Sequence, residues 1–424
     1  MTDYNRAMTM RDCDVLILGG GVIGLACAHY LLAGGRAVTV LEQGRIGGGS
    51  SYGNCGTLTP SHATPLAMPG TIGHALRWMF KADAPLRVVP RFDPALWRWF
   101  TRSARLCNWR DFVRITAAKA PFLVQSRQLI EALVRDQGID CGFRADGTLY
   151  VYRDAREYAR SQWLPRALGD VGISVDVLDG AEIEAREPAL KPGVAGGYFF
   201  PGDASLRPDR YVAGLAASVR ARGGHLVENA RVTGFERAGA RITAVIGDGF
   251  AYRPRDVVFA LGAWSPLLAR KLGLHLPIQP GKGYSITYSR PTLAPHLPIV
   301  LREASVCVTT WADGYRLGST MEFAGYDSSL NRTRLDALRH GAERYLREPE
   351  GAQRQEDWYG WRPMTPDDLP IVGVTPGIDN LCLATGHGML GVTMSALTGK
   401  LVGELLSGQP TSIDPTAYRL ARFG

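Results

Sequence analysis

The sequence predicts an α/β protein: a doubly wound, Rossmann-like dinucleotide-binding domain into which an α+β unit with a mixed or antiparallel sheet is inserted. Three observations predict it. A strand, glycine turn, helix and second strand follow one another at Asp14–Glu42. Parallel-sheet patterning returns at Asp256–Gly262, some 180 residues after composition and periodicity change near residue 76. A second glycine-rich turn opens a helix near the C-terminal end of the sequence. On this reading residues 11–75, 203–275 and 358–424 form the nucleotide-binding domain, and residues 76–202 and 276–357 the inserted one.

Val15 to Leu18 is a short apolar run closed by glycines, as in a buried parallel strand. Gly19, Gly21 and Gly24 fit G-x-G-x-x-G. The first permits the turn, the second lets a pyrophosphate approach, and the third lets the helix pack on the strand. Val22, Ile23 and the residues after Gly24 open a helix whose first amides face phosphate oxygens. Val38 to Leu41 is the second strand. It ends at Glu42 and Gln43, and a carboxylate 18 residues after Gly24 suits a ribose diol. Val15 to Gly35 carries no Asp, Glu, Lys or Arg over 21 positions, enough to span a bilayer. Its glycines and the strand directly after it favour a buried βαβ unit, and it does not read as a secretory signal.

The chain has 424 residues, 46% hydrophobic and 21% charged, with core-forming capacity for two domains. Seven scattered cysteines without CxxC argue against a disulfide framework or a metal site, and for a reducing, cytoplasmic setting. The net charge of +8 rests on 42 arginines against 6 lysines, so placement matters more than the sum. Residues 1–12 read as a loose polar leader. Between residues 76 and 112 lie Arg77, Lys81, Arg87, Arg91, Arg98, Arg102, Arg105 and Arg110, interleaved with Trp78, Trp97, Trp99 and Trp109. Such a mixture suits an amphipathic surface on anionic lipid. Ordinary helices with core tryptophans and solvated arginines are the plainer reading. No recognition motif supports nucleic-acid binding.

Further elements follow in order: helices at 117–137, 157–169, 208–222, 332–347 and 395–406. Strands are expected at 147–152, 197–200, 225–229, 232–236, 244–246, 251–253, 256–260, 284–288, 305–310, 315–318 and 380–384. The loop Ser50-Ser51-Tyr-Gly-Asn54-Cys55-Gly56 offers hydroxyls, an amide and glycines for a second cofactor contact; otherwise it is a flexible surface loop.

The first βαβ unit, the Ser51–Gly56 loop, Gly-Lys-Gly-Tyr-Ser at 281–285, Gly-Trp-Arg-Pro-Met-Thr-Pro-Asp at 360–367 and Thr-Gly-His-Gly-x-x-Gly at 385–391 resemble the D-amino acid dehydrogenases. These sit within the wider D-amino acid oxidase and glycine/sarcosine oxidase family. The resemblance implies non-covalent FAD, with Gly19, Gly21 and Gly24 at the pyrophosphate and Glu42 at the adenosine ribose. Ser50, Ser51, Asn54, Cys55 and Gly56 are then expected along the pyrophosphate and flavin. Val232 is expected on the adenine side, Gly262 and Trp264 near the cofactor, and Gly386, His387, Gly388, Met389, Leu390, Gly391, Val392 and Thr393 at the flavin pyrimidine. Arg362 resembles the arginine that holds a substrate carboxylate, and Tyr284 and His387 are expected to line the pocket. The plainer readings are an Arg362 pair with Asp367 or Asp368, a Tyr284 buried in its strand, a His387 that orders a turn, and Cys55 and Cys307 as inert core.

The reaction so implied is oxidation of a small D-amino acid: D-alanine, D-proline or cis-4-hydroxy-D-proline. Hydride passes to the flavin, and quinone is the expected acceptor at the inner face of the membrane. Cys55 stands where alanine is commoner in that pattern, and Asp368 where glycine is, which brings the cyclic amines forward as rivals to D-alanine. A glycine/sarcosine oxidase-like enzyme and an NAD-binding or non-catalytic Rossmann protein are the alternatives. Oligomeric state is left open.

Overall fold

The structure is a computed structural model that describes residues 10–70, 73 and 86–424. The expected basic–aromatic residues Arg77, Trp78 and Lys81 lie outside the described residues. The first sheet has a parallel centre made by β1 (Met10–Leu18), β2 (Val38–Leu41), β9 (His225–Val227), β12 (Phe250–Phe259) and β19 (Ile378–Thr385), in the order β9-β2-β1-β12-β19. Antiparallel strands complete it: β18 (Ile371–Thr375) on β19, and the ribbon β10 (Val232–Ala238) and β11 (Arg241–Gly247) on β12. Val15 to Leu18 are fully buried, as a two-sided parallel strand requires.

The second sheet carries β17 (Arg354–Met364), β13 (Gln279–Tyr288), β16 (Gly314–Phe323), β15 (Val306–Trp311), β14 (Ile299–Leu301), β5 (Thr148–Tyr152), β7 (Gly196–Phe200) and β6 (Asp176–Asp179), in that spatial order. It is antiparallel except between β14 and β5, and where β4 (Leu86–Val88) joins β16. A separate two-stranded piece pairs β3 (Thr57–Leu58) with β8 (Ala204–Ser205). The longer helices are α1 (Val22–Ala33), α2 (Pro94–Arg105), α3 (Trp109–Asp136), α4 (Pro208–Ala221), α5 (Arg332–Glu343) and α6 (Gly391–Leu406). Helix α6 packs on α1 and α3, and one core joins Ile17 and Leu25 to Phe122, Tyr150 and Leu397.

Several sequence boundaries change. Met10 to Asp12 extend β1 instead of forming a leader, because they pair with Ala251 to Arg253. Residues 251–253 and 256–260 belong largely to one strand, β12, which ends at Phe259. Pro254, which has no N–H to give, falls between the stretch of β12 that pairs with β11 and the stretch that pairs with β19. Helix α3 begins eight residues earlier than expected, where Asn108 caps Asp111 N–H at 3.0 Å. The helix expected at 157–169 is two short ones, Ala155–Arg160 and Leu164–Gly169. Trp358 to Met364 pair with β13, so this stretch lies in the second sheet, and the chain crosses to the first sheet only after Met364. Gly388–Leu406 is long and apolar enough to cross a membrane, yet its flanks are in the core described above.

Candidate active site

A cavity of about 1480 Å³ runs between the two sheets. At one end it meets the turn after β1. Gly19 has φ +107°, and a Cβ on Gly24 would stand 1.9 Å from the Gly19 carbonyl oxygen, so strand and helix can touch only through glycine. Helix α1 has no side-chain cap, and Val22 and Ile23 line the cavity with its first turn. Glu42 accepts Gly20 N–H at 2.8 Å and Gly44 N–H at 3.0 Å, which fixes its carboxylate at the cavity edge beside Gln43. Val232, at the start of β10, closes that end.

In the middle, Ser51 Oγ accepts Val22 N–H at 3.1 Å and Ser50 Oγ donates to the Trp361 carbonyl at 2.5 Å. The loop is therefore an ordered strap across both units, not a flexible surface. Asn54 folds it further, donating to Ser51 O at 2.8 Å and accepting Gly56 N–H at 2.7 Å. Gly262 and Trp264 line the opposite wall, and Trp264 meets Trp361 edge-on at 5.4 Å. Trp361 Nε1 and Thr320 Oγ1 are buried with no partner among the described residues, and both side chains line the cavity. Further along, His387 to Val392 present the uncapped start of α6. Gly24, Gly386 and Thr393, expected at the cofactor, stand one layer behind the wall. Thr393 is buried, tying Thr59 N–H and Thr57 O at 3.3 Å each.

Two uncapped helix starts, an acid at the end of β2 and orphaned polar atoms in a long cavity fit a dinucleotide flavin, with its phosphates at α1 and its ring toward α6.

Arg362 sits on β17 facing this space. It fits there because Gly283, on the neighbouring strand, has no side chain: a Cβ would meet the guanidinium at 2.4 Å. Arg362 donates to Thr320 O at 2.5 Å and Ser319 O at 3.4 Å. Those carbonyls are aimed by a bulge between β13 and β16, where Ser319 (φ +130°) and Thr320 (φ +57°) take backbone conformations rare outside glycine. The structural pairs weighed for Arg362 are taken elsewhere. Asp367 binds Arg422 at 2.7 Å and Asp368 binds Lys119 at 2.5 Å. Among the described residues no carboxylate pairs with Arg362. Burial lowers its pKa to about 10, so it stays cationic near neutral pH.

Tyr284 lines the cavity, but its hydroxyl donates to Glu322 at 2.5 Å, and burial with that bond raises its pKa. His387 is tied to Thr398 at 2.9 Å, and burial pushes its pKa down to about 3. Both groups are held by the fold, so neither is set up as a base. Cys55 and Cys307 are not core: both line the cavity. Interaction with the Cys307 thiol, then the charges of Arg316 and Arg362, lower the Cys55 pKa against burial.

The bulge carbonyls went unread because a bulge has no residue signature. Gly283 was legible as the second glycine of Gly-Lys-Gly. His62, Tyr150, Tyr152 and Arg302 also line the cavity and carry no motif.

A family model described as DAO, FAD dependent oxidoreductase, matches residues 14–405. The chain is 35% identical over 416 residues to a D-amino acid dehydrogenase of Methylobacterium radiotolerans, covering 96% of this chain and 99% of that one. It is also 35% identical to one of Paramagnetospirillum magneticum, covering 96% and 98%. Glycine oxidase from Geobacillus kaustophilus superposes with a TM-score of 0.80 at 24% identity, covering 97% of this chain and 99% of that one, which shows the shared fold. The family model sets aside the NAD-binding and non-catalytic readings. The chain belongs to the DAO family of FAD-dependent oxidoreductases, in the group of the D-amino acid dehydrogenases.

Proposed function

We propose that this enzyme oxidises the C–N bond of a small D-amino acid, with D-alanine, D-proline and cis-4-hydroxy-D-proline as the candidate substrates. The observation that carries the site assignment is Arg362: a cavity-facing guanidinium without a carboxylate partner among the described residues, while the nearby aspartates are paired elsewhere. A planar fork suits a carboxylate, and the bulge carbonyls hold it in place without neutralising it. Bound FAD supplies the hydride acceptor for the α-hydrogen. The chain supplies orientation and exclusion of water, through Trp361, Tyr284 and the uncapped turn at Gly388 to Val392. Among the described residues no side chain is arranged to take the amine proton, so that proton leaves to water before oxidation, and the imino acid hydrolyses after release.

Quinone is the acceptor in this proposal, reached from the inner face of the membrane. The support is α2, which buries Leu96 and Trp99 and leaves Trp97 52% exposed, with Arg98 and Arg105 outward. Trp97 and Phe100 border the cavity itself. Kinetics of Arg362→Ala with each candidate substrate test the clamp. KM is expected to rise about 10²- to 10³-fold, the scale of removing one partner from a buried charge pair. Unchanged KM would remove Arg362 from the substrate site.

A further inference from the structure

We propose that the cavity holds a second carboxylate subsite at Arg302, and that the enzyme, besides small D-amino acids, also takes D-amino acids whose side chains end in a carboxylate. This rests on the reading of Arg362 as the α-carboxylate clamp. Strand register puts Arg302 there. Leu149 and Val151 of β5, with Ile299 and Leu301 of β14, enter one core, which leaves Tyr150, Tyr152 and Val300 on the other face. Arg302 is the next residue of β14's phase after Val300 and continues that face, its N–H bonded to Val151 O.

Its guanidinium lies over the Tyr150 ring at 5.1 Å and the Tyr152 ring at 5.9 Å, and donates to the Tyr152 hydroxyl at 3.2 Å. Arg302 is exposed and lines the cavity. Desolvation inside the cavity opposes its charge, and Tyr152, Tyr150 and the adjacent Glu303 raise its pKa, but Glu303 makes no ion pair with it. Glu303 is occupied by the N–H groups of Arg153 and Asp154, at 2.9 and 2.8 Å, and by the Tyr345 hydroxyl. Among the described residues no carboxylate pairs with Arg302. Of the polar groups nearby, His62 is uncharged: it is bonded to the Tyr150 hydroxyl at 3.0 Å, and burial with the charges of Lys119 and Arg302 pushes its pKa down to about 3. The buried Asp203 carboxyl is taken by the Ser61 N–H and hydroxyl at 3.0 and 2.6 Å. Arg302 is therefore a cation held by aromatic faces in a shared cavity, with no carboxylate bonded to it among the described residues.

The spacing indicates ligand length. Arg362 reaches from β17 over β13 to the carbonyls of β16, and Arg302 reaches from β14 over β5. Three to four strand spacings separate the two guanidinium groups, roughly 14–19 Å at about 4.8 Å each. With a carboxylate about 4 Å from each guanidinium carbon, roughly 6–11 Å remains between the two carboxyl carbons. That suits an extended backbone of roughly six to ten carbons, and adipate, pimelate and suberate cover its shorter end.

The test uses the oxidised FAD-loaded enzyme and ligands it cannot oxidise. Adipate, pimelate and suberate are titrated against hexanoate, heptanoate and octanoate, read by perturbation of flavin absorbance. The best diacid is expected to bind at least about tenfold tighter than the monoacid of equal length. Arg302→Met should erase that ratio, and Arg302→Lys should restore part of it. Equal binding of diacids and monoacids by the unaltered enzyme overturns the subsite, and this result does not depend on any variant folding. A ratio that survives Arg302→Met overturns it too, and so does loss of bound FAD in that variant, which would give Arg302 to the cofactor. Monoacid binding reports on Arg362 alone. If it is indifferent to Arg362→Ala, the clamp itself falls and this inference with it.

Discussion

A guanidinium that donates to carbonyl oxygens and a thioether sulfur, but to no carboxylate among the described residues, keeps its charge for a ligand, and Arg362 is in that position. The residue was legible in the sequence because Gly-Trp-Arg-Pro is a compact motif. The reason it is free for a ligand was not, since that depends on Arg422 and Lys119, which lie 60 residues downstream and 243 upstream. His387 makes the opposite case. Its place in a glycine turn suggested chemistry, and its bond to Thr398 and its burial make it a neutral strut. This has a consequence for pH dependence. With His387 and His62 both pushed down to about 3, neither changes charge between pH 5 and 9. Neither histidine should therefore add an inflection to the kcat/KM profile as it rises with loss of the substrate's ammonium proton; Asp203, which burial raises to about 7, is a buried group that does titrate in that range. A further enzyme inflection near 6.5 that vanishes in His387→Asn would contradict this.

At the scale of elements, helices and strands with clear periodicity were legible, and those defined by partners were not. β1, β2 and α1 follow from apolar runs and glycines. β17 does not, because Gly360 and Pro363 interrupt its aromatic run and make a poor strand until β13 pairs along its length. Helix α2 illustrates how a composition becomes a surface. Its basic and aromatic residues separate into an inward pair, Leu96 and Trp99, and an outward set around Trp97, and Trp109 at the start of α3 is 61% exposed. Membrane contact through this face should appear in flotation with vesicles. The enzyme is expected to float with anionic vesicles at low salt and to be released as salt rises. Paired changes at Trp97 and Arg98 should weaken flotation several-fold. Equal recovery with purely zwitterionic vesicles, or none with either, would count against it.

The whole molecule is held by contacts that cross between its two sheets. Lys119 of α3 is buried and joins the turn before β18 through Asp368 at 2.5 Å and also Thr64 O at 3.5 Å. Lys119→Met would leave the Asp368 carboxylate buried without its counter-charge, at a cost of about 3–5 kcal/mol. Denaturant unfolding of the FAD-loaded enzyme measures this, and adding Asp368→Asn should recover much of the loss. A loss under about 1 kcal/mol would show that the pair is not structural in the way described. The inserted arrangement was legible from the return of parallel-sheet patterning at Asp256. The cavity was not, because its lining comes from both sheets and from segments hundreds of residues apart.

The most direct test of the central claim is anaerobic reduction of the bound flavin, followed by its visible absorbance. D-Alanine, D-proline and cis-4-hydroxy-D-proline are mixed separately with the enzyme and with Arg362→Ala. At least one D-amino acid should bleach the flavin of the unaltered enzyme at a rate that saturates with concentration, its L-enantiomer should not, and Arg362→Ala should need far higher concentrations. Bleaching by no D-amino acid, or equally by both enantiomers, would contradict the account.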